Sequence, residues 1–137
     1  MADTIMEPSD VFARAWASAR KDDDVVLVLF PTARPEKFGM VRLDGDARVV
    51  EIVDKPRETS LTLMWGCIMW RPCFTEHLHE CVQRRGISDF AHVLNEAIAA
   101  GLKVRGVPVN NGSYADLGTY EEIRDLDTSL RQRSNHE

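Results

Sequence analysis

No glycine-rich phosphate loop occurs anywhere in the 137 residues, and the eight glycines stand apart from one another. Backbone N–H groups in such a loop cradle phosphate oxygens, so its absence removes the usual anchor for a nucleoside triphosphate. No run of 18 apolar residues and no signal-peptide pattern is present, which makes a soluble cytoplasmic protein the expectation. Cys67, Cys73 and Cys81 are odd in number and lack C-x-x-C spacing, which predicts reduced thiols. Clustered basic residues are also missing. Arg84-Arg85 is the one dense basic spot and the net charge is −5, so no nucleic-acid-binding surface is expected. There is no G-x-S-x-G elbow and no coherent Ser, His and Asp arrangement for acyl transfer. Cys73, His77 and Cys81 do recur every four residues. Three ligands strung over two helical turns do not converge easily on one ion, and no fourth ligand pattern appears, so zinc is not expected there.

The residues that are present read as one α/β domain spanning 1–137, long enough to bury a core without disulfides. Pro8 and Ser9 start a predicted helix, with Ser9 as N-cap and Phe12, Ala15, Trp16 and Ala19 on its inner stripe. Val25 to Phe30 is a continuous apolar run, the pattern of a strand covered on both faces. Phe38 to Leu43 and Arg48 to Val53 flank Asp44-Gly45-Asp46 and predict a hairpin. Leu61 to Trp70 reads as another buried strand with Gly66 at its middle, where a ligand or another backbone can approach. Pro72 opens a helix that carries Phe74, Leu78 and Val82. Ser88 caps a second one with Phe90, Val93, Leu94, Ala97 and Ile98 inward, and Gly101 stops it. Val104 to Val109 and Tyr114 to Leu117 are short strands around an Asn111-Gly112 turn. Thr119 and Glu122 form a capping box for a last helix with a polar, frayed end.

Four short motifs stand in a fixed order: Phe38-Gly39-Met40-Val41, Asp54-Lys55-Pro56, Trp65-Gly66 and Asp116-Leu117-Gly118-Thr119. In this order the chain resembles the second half of the sugar-1-phosphate nucleotidylyltransferases, which include the glucose-1-phosphate thymidylyltransferases and uridylyltransferases. The family's opening G-x-G-T-R unit is the part not found. The resemblance implies a mixed β-sheet flanked by helices, a truncated nucleotidyltransferase fold. It also implies that Lys55 contacts the sugar phosphate, that Asp54 bonds sugar hydroxyls, and that the backbones of Gly39 and Gly66 approach the sugar. Asp116 would help hold Mg²⁺, and Asp3 could be the remnant of a second metal-binding aspartate. The plainer alternatives are a turn aspartate at Asp116, a frayed terminus at Asp3, a solvated strand end at Asp54-Lys55, and bulge or packing glycines. For Arg84 or Arg85 a helix C-terminal charge pair is the stronger reading than a phosphate contact.

Two functions fit the resemblance. One is the sugar-1-phosphate-recognising part of a nucleotidylyltransferase, inactive or partner-dependent as this chain. The other is a non-catalytic module that binds a sugar phosphate or nucleotide sugar, or assembles into oligomers. Because the family's N-terminal strands are absent from this sequence, one sheet edge is expected to be open, which predicts a homodimer or higher oligomer.

Overall fold

The computed structural model describes residues 4–134. The order of elements is β1 (Thr4–Glu7), α1 (Val11–Ser18), β2 (Val25–Pro31), β3 (Gly39–Leu43), β4 (Val49–Asp54), β5 (Leu63–Trp70), α2 (Pro72–His79), α3 (Phe90–Ala99), β6 (Val104–Pro108), β7 (Ser113–Asp116) and α4 (Tyr120–Ser134). Five strands form one mixed sheet in the order β4-β3-β5-β2-β6, while β1 and β7 make a separate antiparallel ribbon. The mixed sheet with helices on its faces is the architecture the motif order implied. Among the described residues no helix is long and apolar enough to cross a membrane.

β2 lies inside the sheet, antiparallel to β5 and parallel to β6. All six residues from Val25 to Phe30 are buried, as a strand covered on both faces requires. Alternation then sends Val25, Leu27 and Leu29 toward α2 and α3, where Phe74, Val93, Leu94 and Ala97 close one core. Val26, Val28 and Phe30 face α1 and the β1/β7 ribbon, where they meet Val11, Ala15, Met6 and Tyr114. The β3/β4 hairpin forms where the turn residues predict it, with the Asp44 carboxylate accepting from the N–H groups of Asp46 and Arg48, both at 2.9 Å. The left-handed residue of this turn is Ala47, at φ 59°, rather than Gly45.

Several local expectations change. Residues Thr4–Glu7 form a strand paired with β7, for which the sequence had offered no signal. On α1 Ala15 and Ala19 pack inward as expected, but Val11 joins them in place of Phe12, which is 50% exposed, and Trp16, which is 77% exposed. Asp10, not Ser9, occupies the N-cap position of α1, and Asp89, not Ser88, caps α3 by accepting from the N–H groups of Ala91 and His92. After α2 the helix widens into a π turn over Glu80–Arg84, and Cys81 is buried while Val82 is exposed. Cys81 sits 3.4 Å from His77, but Cys73 bonds Asp24 instead, and no metal-holding group of three exists among the described residues. Arg84 pairs with Glu80 and Arg85 with Glu96.

The sheet edges are covered at two points. On β4 the Asn95 side chain donates to the Ile52 carbonyl at 2.7 Å and accepts from the Ile52 N–H at 2.8 Å, imitating a neighbouring strand. At the other edge the hairpin turn reaches β6, with the Gly106 N–H donating to the Ala47 carbonyl at 2.9 Å. Each contact occupies backbone groups that strand pairing with a second copy would use.

Candidate functional site

A cleft of about 490 Å³ opens where the sheet comes apart. β3 and β5 pair at Met40↔Met64, and among the described residues the ladder goes no further. Beyond that pair, Lys37, Phe38 and Gly39 line one side and Trp65 and Gly66 the other. The end of β4 adds Asp54 and Lys55, the N-terminus of α3 adds Asp89, Phe90 and Ala91, and β7 adds Tyr114 and Asp116. Gly39, Asp54, Lys55, Gly66 and Asp116, singled out from sequence, therefore share one cleft. Asp3 lies outside the described residues.

Each position has a local cause. Lys55 follows the last residue of β4 with its backbone in the left-handed region, φ 45°. For a residue with a Cβ this conformation costs about 1–2 kcal/mol. Its N–H donates to the Phe38 carbonyl at 2.9 Å, which ties the strand end to the residue before β3. Strain of this kind tends to collect at functional sites. Gly66 is the extra residue of a bulge, because Val28 pairs with Cys67 and Leu29 with Trp65. A Cβ at Gly66 would stand 2.6 Å from the Tyr114 ring and 2.8 Å from Phe30, so the bulge and the aromatic packing both require glycine. At Gly39 a Cβ would run into the Trp65 indole. The plainer packing reading of these glycines thus coexists with their place in the cleft wall.

Charges in the cleft are of both signs. Lys37 and Lys55 stand with Asp54, Asp89 and Asp116. Lys37 is held by Glu122 at 3.4 Å across the cleft rim. Glu122 also completes the predicted capping box: its carboxylate accepts from the Thr119 N–H at 3.1 Å and hydroxyl at 2.9 Å, and its own N–H donates to Thr119 Oγ1 at 3.2 Å. The Thr119 hydrogen bond, with Lys37 behind it, holds the Glu122 carboxyl below its usual value. The stability that the charged Glu122 adds is therefore complete above the ordinary carboxylate value and is lost as pH falls through the lower folded pKa. Asp116 closes β7 opposite Thr4. Its carboxylate is the oxygen donor type that Mg²⁺ prefers, and Mg²⁺ commonly takes one or two protein carboxylates with phosphate and water completing its shell.

Sequence reasoning missed Lys37, Trp65, Asp89, Phe90 and Tyr114 as lining residues. Trp65 lay inside a quoted motif, Tyr114 two residues before another, and Asp89 beside Ser88, the residue expected to cap α3. Phe90 was expected only on the inner face of its helix and Lys37 carried no signal, because only the chain's path brings them beside β5.

The glucose-1-phosphate thymidylyltransferase of Streptomyces antibioticus is 25% identical over 126 residues, covering 88% of this chain and 34% of that protein. The chain therefore spans about a third of the length of this curated relative. Among solved structures, a protein described as a glucose-1-phosphate thymidylyltransferase from Bacillus anthracis, in complex with a sucrose, matches with a TM-score of 0.73 at 16% identity. That match covers 94% of this chain and 52% of the other. The inositol-1-phosphate CTP transferase from T. maritima matches with a TM-score of 0.62 at 17% identity, over 88% and 48% of the two chains. At these identities the structures establish the fold. The model of the nucleotidyl transferase family matches residues 2–133, nearly the whole sequence, and the chain belongs to that family.

Proposed function

We propose that this chain is the sugar-1-phosphate-recognising part of a nucleotidylyltransferase. The observation that carries the reading is the convergence of Gly39, Asp54, Lys55, Gly66 and Asp116, from four separate strands or strand ends, on one cleft. Lys55 would neutralise the sugar phosphate, since an ammonium on a flexible stem acts as a movable point charge. Asp54 would accept from sugar hydroxyls, and the two glycines would let backbone come close to the ring. Glu122 would orient Lys37 at the cleft rim.

The reaction would be attack of a sugar phosphate oxygen on the α-phosphorus of a nucleoside triphosphate, forming the new P–O bond as the bond to pyrophosphate breaks. Asp116, with Asp3, would hold Mg²⁺, which when bound supplies charge neutralisation at the α-phosphate. These residues contain no G-x-G-T-R loop, so the triphosphate-binding part would come from a separate polypeptide segment or partner. The alternative is a binding module that takes a sugar phosphate or nucleotide sugar without chemistry. Pyrophosphate release from nucleoside triphosphate, Mg²⁺ and hexose 1-phosphate that requires both this chain and a separate polypeptide carrying the G-x-G-T-R loop would exclude that alternative. A homo-oligomer belongs to the same proposal, although Asn95 and the hairpin turn narrow the edge available to it. Sedimentation equilibrium returning the mass of one chain would remove it.

Thermal unfolding with hexose 1-phosphates tests the binding itself. A ligand at about 100 times its Kd should stabilise the fold by about 2.7 kcal/mol. Lys55→Ala and Lys55→Gly should both abolish the shift. Lys55→Gly should be the more stable of the two by about 1 kcal/mol, because glycine accepts the left-handed backbone. A ligand shift that survives in both variants would refute the role of Lys55.

A further inference from the structure

Among the described residues two buried side-chain polar atoms have no hydrogen-bond partner, Trp65 Nε1 and Arg105 Nη2. Arg105 is bonded through its other nitrogens to Asp23 and to the Asp46 carbonyl, so its guanidinium is largely satisfied. The Trp65 N–H has nothing. Buried indole N–H groups usually find an acceptor, and one left unmet loses its bond to water without replacement.

The reason lies in how the ring is seated. Trp65 is in the cleft wall just past Met40↔Met64, where β3 and β5 separate. Its ring lies 5.7 Å from Phe90, and its N–H edge fills the space beside Gly39 that a side chain would otherwise occupy. Because Gly39 has no side chain, the indole can rest there, and nothing beyond Cα interlocks with it. The ring therefore covers the backbone that a sugar would approach, with its donor turned toward a surface that offers no acceptor.

We propose that Trp65 is a specificity-determining residue of the sugar-phosphate cleft: its ring turns off Gly39 when ligand enters, and Nε1–H donates to a ligand oxygen. This rests on the proposed reading of the cleft. The bond is favoured because the donor gives up no existing partner to make it, while the uncovered Gly39 backbone becomes available to the sugar. A ligand with no oxygen in reach leaves the donor orphaned and is selected against, the same asymmetry by which sites with buried donors reject analogues that lack the acceptor.

Indole N–H resonances of the ¹⁵N-labelled full chain test this during titration with glucose 1-phosphate. The sequence has three tryptophans, Trp16, Trp65 and Trp70. Trp16 is exposed and Trp70 Nε1 already donates to Thr75 Oγ1 at 3.0 Å, so both serve as internal references. Trp16→Phe and Trp70→Phe assign the third signal by subtraction, even where Trp65→Phe folds poorly. The Trp65 signal should move downfield and exchange more slowly with water, the other two should hold still, and Trp65→Phe should weaken binding by about tenfold. A Trp65 signal that stays fixed while the Gly39 and Lys55 amides respond overturns this proposal and leaves the cleft reading standing. A folded spectrum in which no resonance moves overturns both. Trp65→Phe binding with unchanged affinity overturns the donor role.

Discussion

Asp23→Asn should destabilise the protein by about 3–5 kcal/mol, the usual result of removing one partner from a buried ion pair. Asp23 precedes β2 and is 2% exposed. Its carboxylate accepts from Arg105 Nε at 2.5 Å, from Arg48 Nη1 at 2.5 Å and from the Arg20 N–H at 2.7 Å. Its carbonyl accepts from Arg71 Nε at 2.7 Å. One residue thus links β6, the hairpin turn, the end of α1 and the entry to α2. Neutralising it leaves Arg105, itself only 4% exposed, with an uncompensated buried charge. The melting temperature should fall by roughly 10–20 °C for a chain of this size. Asp22 is a close control: it pairs with Lys103 and Arg48 at the exposed end of the same network, and Asp22→Asn should leave the transition nearly in place. Equal melting of the two variants would mean that the buried network contributes nothing specific.

The same site has a pH signature. Burial pushes the Asp23 carboxyl up, but the Arg105 hydrogen bond, the Arg20 N–H and the charges of Arg105 and Arg48 outweigh it and hold the group below its usual value. A depressed folded pKa means that the stabilisation is complete above the unfolded value, about 3.9, and is lost as pH falls through the folded pKa. Wild-type stability should therefore decline in that acid window more steeply than that of Asp23→Asn. Parallel acid denaturation profiles would contradict the assignment.

Phe30→Ala should cost about 3–5 kcal/mol and also loosen the cleft. Phe30 is fully buried at the end of β2, and its ring lies 5.8 Å from Tyr114. It fits only because its neighbours at two positions are glycines: a Cβ on Gly66 would stand 2.8 Å away and one on Gly112 3.0 Å. Removing the ring opens a cavity directly beneath the bulge at Gly66, with Tyr114 deprived of the surface it leans on. Ligand affinity should then fall although Phe30 is not among the cleft-lining residues. Phe30→Leu, which refills most of the space, should lose less of both. Urea denaturation gives the stability arm and thermal-shift titration the binding arm. A variant that is strongly destabilised yet binds hexose 1-phosphate with wild-type affinity at a temperature where it is folded would separate the cleft from its support.

Much of the fold was legible because its signals are local and redundant. The apolar run at β2, the Asp44-Gly45-Asp46 turn, Pro72 at the start of α2 and the Thr119/Glu122 box each combine a pattern with a chain-reversal or capping residue, so neighbouring signals agree. Misreadings arose where two local solutions had similar merit. Both Ser9 and Asp10, and both Ser88 and Asp89, are good cap residues, and the choice between them depends on where the preceding chain arrives. In α1 the expected stripe holds at Ala15 and Ala19, but Val11 takes the inner place expected of Phe12 and Trp16. Periodicity gives the spacing of such a stripe, but its phase is decided by the surface it meets, here the face of β2 that presents Val26, Val28 and Phe30.

What the sequence by itself determined is therefore the family, through motifs that keep their order, and the identity of the strands and helices that carry those motifs. Only the tertiary structure decided which of those residues meet. The left-handed backbone at Lys55, the bulge that singles out Gly66, the Trp65 ring over Gly39 and the partnership of Lys37 with Glu122 all arise from contacts between segments remote in sequence. The physical reason is that a short motif encodes local conformation through steric and hydrogen-bonding preferences of adjacent residues. The opening of β3 from β5, which makes the cleft, is set instead by how the whole sheet packs between its two cores.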